Sequence, residues 1–133
     1  MCLNILKKKH RNLLSGKCSP IRLKKDLLVW KLLTKTNDGN YVTAYQGDTV
    51  KFIDGKAILL PISEWNFALT EISETTKKVS KSHHAYHAYT TEKMAKYNAS
   101  GSNKILKAVI PAGSLVYYGE NYDVCSNQMT ILL

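Results

Sequence analysis

Three histidines, His83, His84 and His87, fall within five residues, and imidazole nitrogen is a common zinc ligand. The surrounding residues favour a strand, in which His83 and His87 share a face but lie about 13 Å apart at about 3.3 Å per residue. A single ion with Zn–N bonds of about 2 Å cannot join two nitrogens that far apart. The spacing therefore predicts no metal site, and no cofactor is expected.

The same segment alternates histidine with tyrosine, a pattern that suits a small polar pocket. In a strand, His87 and Tyr89 project to one face, whereas His84 and Tyr86 project to the other. These side chains hydrogen-bond and stack, as a nucleotide or an unpaired base requires. Packing of the same rings on and beside the sheet also explains the pattern, and the sequence leaves both interpretations open.

Nucleophilic chemistry has one candidate, Cys2, whose thiol would lie beside a free amino group after removal of Met1. Amidotransferases that use such a thiol resemble Met-Cys-Gly at this point, but Leu3 and a lysine cluster follow here. A mobile arm would not hold a thiol in a reactive geometry. The chain also lacks a glycine-rich phosphate loop and a Gly-x-Ser-x-Gly elbow, so the sequence predicts no catalytic residue.

One class of enzyme remains as an alternative. The residues Ile-Pro-Ala-Gly-Ser at 110–114, between two expected strands, resemble the late strands of ADP-ribosyltransferases. No arginine follows Arg22 to hold a dinucleotide phosphate, and no Glu-x-Glu motif is present. Whether the chain is an enzyme therefore stays open, with a non-catalytic protein as the expectation.

Positive charge is concentrated at the N-terminal end of the chain. Residues 1–25 hold eight of the nineteen Lys and Arg residues and no Asp or Glu, which leaves eleven basic and ten acidic residues for the rest. This asymmetry predicts a basic arm, residues 1–25, attached to a single α+β domain, residues 26–133. The cations would hold nucleic acid, another polyanion, an anionic membrane surface or an acidic protein, or would only aid solubility. They are Lys7, Lys8, Lys9, Arg11, Lys17, Arg22, Lys24 and Lys25.

The domain itself consists of short β-rich runs between turns. Asn37-Asp38-Gly39 and Asp54-Gly55 are hairpin turn sequences, each between two expected strands. The last third predicts strands at 104–110, 115–118 and 128–133. These patterns predict the α+β class: a mostly antiparallel sheet of six to eight short strands with one short helix, preceded by the basic arm.

Three segments between these runs receive separate predictions. Thr90 or Thr91 is expected to cap a helix near 91–99, with Met94 and Tyr97 toward the core. Alternation of large side chains predicts a strand near 65–70, and the polar residues that follow predict a mobile loop near 73–82. The histidine and tyrosine segment, 84–89, is read as a strand.

Length and composition define the class of protein. A chain of 133 residues with 44% hydrophobic and 22% charged residues is expected to form one domain. Its three cysteines match no zinc or Cys-x-x-Cys pattern, and no apolar run is long enough to span a bilayer. The lysine cluster follows a short apolar stub, the reverse of a secretory signal. The sequence therefore predicts a cytoplasmic protein with reduced thiols and no transmembrane segment.

Three stretches of the chain together resemble one group of proteins. They are the strand KDLLVWKLL after a basic arm, the segment HAYTT leading into EKMAKY, and the ending KAVIPAGSLVYYGENYDVCSNQMTIL. This combination is similar to a group of small uncharacterised proteins encoded by bacteriophages and prophages. That group tends to have Gly-Phe-His-Ala before the helix, where this chain has Ala85-Tyr86-His87-Ala88 and lacks the glycine. The resemblance implies an accessory protein acting in the cytoplasm of an infected bacterium, in host takeover or counter-defence.

These observations predict a non-catalytic protein that acts by binding. The expected partner is nucleic acid or another polyanion, an acidic host protein or a small nucleotide, held by the arm and by a pocket around Tyr86–Tyr89. A structural or assembly protein of the virion is an alternative, as is the ADP-ribosyltransferase-like enzyme. The oligomeric state does not follow from the sequence.

Overall fold

A computed structural model describes residue 7 and residues 19–44, 47–67, 71–72, 79–81 and 85–133, with 71–72 and 79–81 described by their backbone alone. Two helices form in this part of the chain, α1 (Glu64–Phe67) and α2 (Glu92–Asn98), and neither is long and apolar enough to cross a membrane. The strands of these residues are β1 (Ile21–Arg22), β2 (Leu27–Lys35), β3 (Tyr41–Thr43), β4 (Lys51–Ile53), β5 (Lys56–Leu59), β6 (Glu71–Ile72), β7 (Val79–Lys81), β8 (Tyr86–Tyr89), β9 (Asn103–Ile110), β10 (Leu115–Tyr118), β11 (Asp123–Ser126) and β12 (Met129–Ile131).

Ten of these strands form one sheet in which every pair of described strands is antiparallel. The order is β1-β10-β11-β8-β2-β9-β12-β5-β4, with β3 also paired to β2. Strands β6 and β7 pair only with each other. The longest pairing joins β2 to β9, from Leu27 opposite Ile110 to Thr34 opposite Asn103. These two strands therefore form the centre of the sheet.

The other edge of β2 pairs with two strands in succession, and we call this division the fork. Trp30 lies opposite Tyr89 of β8, whereas Leu33 lies opposite Thr43 of β3. Between these two positions, the partner of β2 changes. On one side of the fork the sheet continues through β8, β11, β10 and β1.

On the other side of the fork, the sheet closes on itself. The bridge between Val42 and Thr49 joins β3 to the residues that lead into β4, and the Val50 amide donates to the Tyr41 carbonyl at 3.0 Å. Strands β2, β9, β12, β5, β4 and β3 thus follow one another in a closed ring. The ring positions residues from distant parts of the chain around a shared interior.

The main core fills this interior and extends onto the same face of β8, β10 and β11. It follows from the alternation of side chains along each strand. Val29 and Leu33 of β2 are completely buried in it, together with Ala108 and Ile110 of β9. The intervening residue Leu32 projects to the opposite face, where Tyr89 and Ala95 cover it. A third cluster packs α1 against β10 and β11 on that same opposite face. Both helices therefore cover one face of the sheet while the ring encloses the other.

Helix α2 begins where its cap predicts. Thr91 has extended backbone, and its Oγ1 accepts a hydrogen bond from the Met94 amide at 3.3 Å. Ala95 is fully buried against the sheet and Met94 packs beside it. Tyr97, which was expected to face the core, is 83% exposed, so that prediction is wrong. Position 97 follows the buried Ala95 by two residues, and residues that far apart face different sides of a helix.

The mostly antiparallel sheet is confirmed, but the expected number of strands and the single helix are wrong. Strand β11 was missed because its Asp, Cys and Ser residues resemble a loop, yet all four of its residues are buried between β10 and β8. The strand predicted near 65–70 is wrong for residues 65–67, which belong to helix α1, and residues 68–70 lie outside the described residues. At the start of α1 the Ser63 Oγ accepts from the Asn66 amide at 3.3 Å. A local cap there outweighs the alternation of large side chains. The expected loop 73–82 contains β7, and its residues 73–78 lie outside the described residues.

The end of the predicted basic arm takes part in the sheet. Ile21 and Arg22 form β1, opposite Val116 and Leu115 of β10. The Leu23 amide donates to the Ser114 carbonyl, and the Leu23 carbonyl accepts from the Gly113 amide, each at 2.9 Å. Most of residues 1–18 lie outside the described residues, so for them the division into arm and domain stays a prediction.

Asn127 connects three parts of the fold from a nearly inaccessible position. Its Oδ1 accepts from the Leu115 amide at 3.0 Å, and its Nδ2 donates to the Ile62 carbonyl at 3.4 Å. Its main-chain carbonyl accepts from the Ile62 amide at 2.8 Å. This one side chain ties the segment before α1 to β10 and to the turn before β12.

We expect Asn127→Ala to lower the free energy of unfolding by about 1–3 kcal/mol, because the buried Leu115 amide loses its acceptor. Urea unfolding followed by circular dichroism measures the change. Asn66→Ala is the matched control, since Asn66 is exposed on α1. Equal stability of the two variants would contradict the assigned role of Asn127.

Candidate functional site

The described part of the histidine and tyrosine segment is built into the sheet. Tyr86 and Tyr89 are buried on opposite faces, in the main core and beneath α2 respectively. The Tyr86 hydroxyl donates to the Leu60 carbonyl at 2.5 Å. His87 is half-buried on β8, and His83, His84 and Cys2 lie outside the described residues. A pocket formed by His84, Tyr86, His87 and Tyr89 therefore stays a prediction.

Two charged residues that were not predicted as site residues, Lys31 and Asp48, belong to this region. Lys31 is only 5% exposed, and its Nζ donates to the His87 carbonyl at 2.5 Å. Burial raises the pKa of the Tyr86 hydroxyl, and the negative charge of Asp48 raises that pKa further. The chain thus places an ammonium group against β8 and a carboxylate near enough to the Tyr86 phenol to raise its pKa.

Two of these groups join separate elements of the fold. The Lys31 ammonium and the Tyr86 hydroxyl each donate to a main-chain carbonyl of another element. A buried amine or phenol with such a bond holds those elements together. Among the described residues, no group of three or more His, Cys, Asp or Glu residues is arranged to hold a metal ion. A lone lysine in the apolar run LLVWKLLT was the signal that could have identified Lys31.

A second buried charge, Asp123, is the first residue of β11 and adjoins the loop that comes from β10. Its side chain accepts from the Asn121 amide at 3.3 Å and packs so closely on Gly119 that a Cβ there would lie 2.0 Å from Oδ1. Burial raises the pKa of this carboxyl above its ordinary range, and hydrogen bonds from backbone amides oppose that shift. The neighbouring Tyr122 carbonyl accepts from the Thr90 amide at 2.8 Å. Asp123 therefore holds a loop that contacts the start of α2.

The raised pKa of Asp123 gives a testable dependence of stability on pH. Its contribution is fully present below the ordinary pKa of 3.8 and is lost as the pH rises through the folded-state pKa. We expect Asp123→Asn, which cannot ionise, to gain stability relative to the parent protein as the pH rises above the ordinary pKa of 3.8. Urea unfolding of both proteins at several pH values measures the difference. A difference that is constant across this range would refute the expectation.

The basic residues of the arm differ from one another in their surroundings. The Arg22 guanidinium donates to the Gly113 carbonyl at 2.8 Å and pairs with Glu64 at 2.5 Å. The Lys7 amide donates to the Tyr118 carbonyl at 3.0 Å, and its Nζ lies 5.9 Å from the centre of the Tyr118 ring. Lys8, Lys9, Arg11 and Lys17 lie outside the described residues.

Lys24 and Lys25 are the exposed cations in the connection between β1 and β2. Ion pairs between described residues join Arg22 to Glu64 and Lys96 to Glu92, so neither Lys24 nor Lys25 is paired with a described carboxylate. Hydrogen bonds fix Leu23 on one side of the pair, and the pairing of Leu27 with Ile110 fixes the other side. The backbone of these lysines is therefore held in place although their side chains reach solvent.

An open groove of about 480 Å³ lies next to this pair, at one end of the ring. It forms where β2 and β5 begin and where β4, β9 and β12 end. Its lining is mainly apolar, with one positive and one negative residue, Lys56 and Asp26. Asp26 directly follows Lys25, and its Oδ1 accepts from the Ala112 amide at 2.8 Å. This groove could not be predicted from the sequence, since its residues come from four separate parts of the chain.

Comparisons of the chain with protein-family models, with curated proteins and with solved structures give no match.

Proposed function

We propose that this chain is a non-catalytic binding protein that attaches to nucleic acid through its basic N-terminal residues. The observation that carries the proposal is the exposed pair Lys24 and Lys25, which has no carboxylate partner among the described residues and has a fixed backbone. Cations that are ordered before binding lose less conformational entropy when they meet a phosphate. Such contacts release counterions from the nucleic acid and require no particular base sequence.

The distribution of charge supports an extended polyanion over a single small anion. Eight cations precede Asp26, whereas the remaining residues are nearly neutral. Of the described members of this set, Arg22 is neutralised by Glu64, which leaves Lys7, Lys24 and Lys25 without a described carboxylate partner. A phosphate backbone presents charges at regular intervals and can meet lysines spread along a segment. A free nucleotide offers only one short group of phosphates.

We expect Lys24→Gln/Lys25→Gln to weaken binding to a short DNA duplex and to reduce the slope of log K against log salt by about 2, one for each lost phosphate contact. Fluorescence anisotropy at several salt concentrations measures both quantities. The control is Lys93→Gln/Lys104→Gln, which removes the same charge from exposed positions away from the arm. Lys104 lies opposite Leu33, far along β2 from Lys25. Equal losses in the two double variants would assign the binding to net charge alone and would contradict the proposal.

Removal of residues 1–18 tests the remaining cations while leaving β1 in place. This deletion removes five of the eight basic residues of the arm. We expect a further loss of affinity for the duplex and a flatter salt dependence, because fewer counterions are released. Affinity equal to that of the full chain would exclude these residues as contacts. Binding of free nucleotides in place of duplex, measured as thermal stabilisation, would overturn the choice of partner.

The resemblance to small bacteriophage and prophage proteins extends the proposal to a biological setting. We propose an accessory protein that acts inside an infected bacterium, in host takeover or counter-defence. Expression of the chain in bacteria that carry a phage-defence system should then raise the number of plaques. Unchanged plaque counts across several defence systems would oppose counter-defence and would leave the binding itself intact.

A further inference from the structure

The groove beside Lys24 and Lys25 contains exposed apolar surface that the fold does not use. Phe52 is 61% exposed and Leu133 is 67% exposed, and both line the groove with the partly exposed Leu132. Large apolar side chains grouped at one concave site mark a binding surface more often than an incidental feature. The volume of about 480 Å³ lies in the usual range for sites that hold small organic groups.

The aromatic side chain of this group is held on a rigid element. Phe52 lies opposite Ala57 in the hairpin of β4 and β5. The two turn residues, Asp54 and Gly55, have φ angles of 51° and 75°, as the tight turn between twisted strands requires. The hairpin thereby presents the ring at the mouth of the groove with little backbone freedom to lose on binding.

The charges around the groove favour an anionic occupant. Lys56 lines it, and Lys24 and Lys25 directly precede Asp26 of its lining. Asp26 is the acidic residue of the lining, and it already accepts a hydrogen bond from Ala112. An apolar floor with cationic borders matches a ligand that carries flat rings on a negatively charged chain.

Three other occupants fit these observations less well. A second copy of the chain would bring a formal charge of +9 against another +9 and would place lysines against lysines at the rim. A lipid surface is met by apolar side chains that protrude from a protein, whereas these line a concavity. Bases of a duplex are stacked within the helix and cannot enter a groove without being extruded.

We propose that the groove binds unpaired nucleobases of a single-stranded nucleic acid, with a base stacked on Phe52 and the adjoining phosphates contacted by Lys24, Lys25 and Lys56. This inference rests on the proposed attachment to nucleic acid and adds to it a preference for single strands. The lysines provide affinity for any phosphate backbone, and the groove discriminates unpaired from paired bases.

The test compares Phe52→Ala with the parent protein on three labelled probes of equal length: oligothymidylate, a duplex and an abasic strand. We expect the parent protein to bind oligothymidylate more tightly than the duplex. We expect Phe52→Ala to lower the affinity for oligothymidylate about tenfold. The affinities for the duplex and for the abasic strand should stay unchanged. Phe52→Trp should retain tight binding, because an indole also stacks on a base. Thermal melting of each variant checks that it is folded, as expected for so exposed a position.

The possible results separate this inference from the proposed function. If duplex and abasic strand bind in a salt-dependent manner but Phe52→Ala leaves oligothymidylate binding unchanged, the groove is not a base site while the attachment to nucleic acid stands. If none of the probes binds, the proposed function fails and the inference fails with it. Phe52-dependent self-association in size-exclusion chromatography would overturn the inference in favour of a second copy. Phe52-dependent flotation with anionic phosphatidylserine vesicles would overturn it in favour of a lipid surface.

Discussion

The arrangement of the sheet depends on a limit that applies to every β-strand: one edge can pair with only one partner at each position. Strand β2 meets β9 along one edge and gives its other edge to β8 and then to β3. Where the partner of β2 changes, the buried Lys31 ammonium donates a hydrogen bond to the His87 carbonyl. A charge removed from water requires hydrogen bonds of this kind to compensate for its lost hydration.

The fork also explains why cations and exposed apolar residues lie next to one another at one end of the ring. Side chains of the closed ring fill its interior, while the ends of its strands leave a groove that packing does not fill. The branch through β8 and β11 leads to β10, against which β1 is paired. Because β1 and β2 are separated by only four residues, Lys24 and Lys25 lie in a short connection from the last strand of the branch to the first strand of the ring. Topology therefore brings cations from the start of the chain next to apolar residues from its end.

The parts of the fold that local chemistry determines could be predicted from the sequence. The Asp-Gly turns indicated both hairpins, and Thr91 indicated the start of α2. Strand β11 was not predictable because its polar residues are buried by neighbours far along the chain. For the same reason the groove was missed, since Asp26, Phe52 and Leu133 approach one another only after the ring closes. Arg22 was counted among the binding cations, and only the fold reveals its pairing with Glu64.

The pairing of β1 with β10 also affects the solubility of the protein. An uncovered strand edge offers amides and carbonyls to any strand of a neighbouring molecule, and proteins rich in sheet must shield such edges. Residues 21–23 cover the outer edge of β10 near its start, and the Lys7 amide covers the Tyr118 carbonyl at its end. At the far side, β3 shields the residues that lead into β4. Residues 21–23, which precede Lys24, therefore also protect the protein from aggregation. Their loss would expose the backbone of β10.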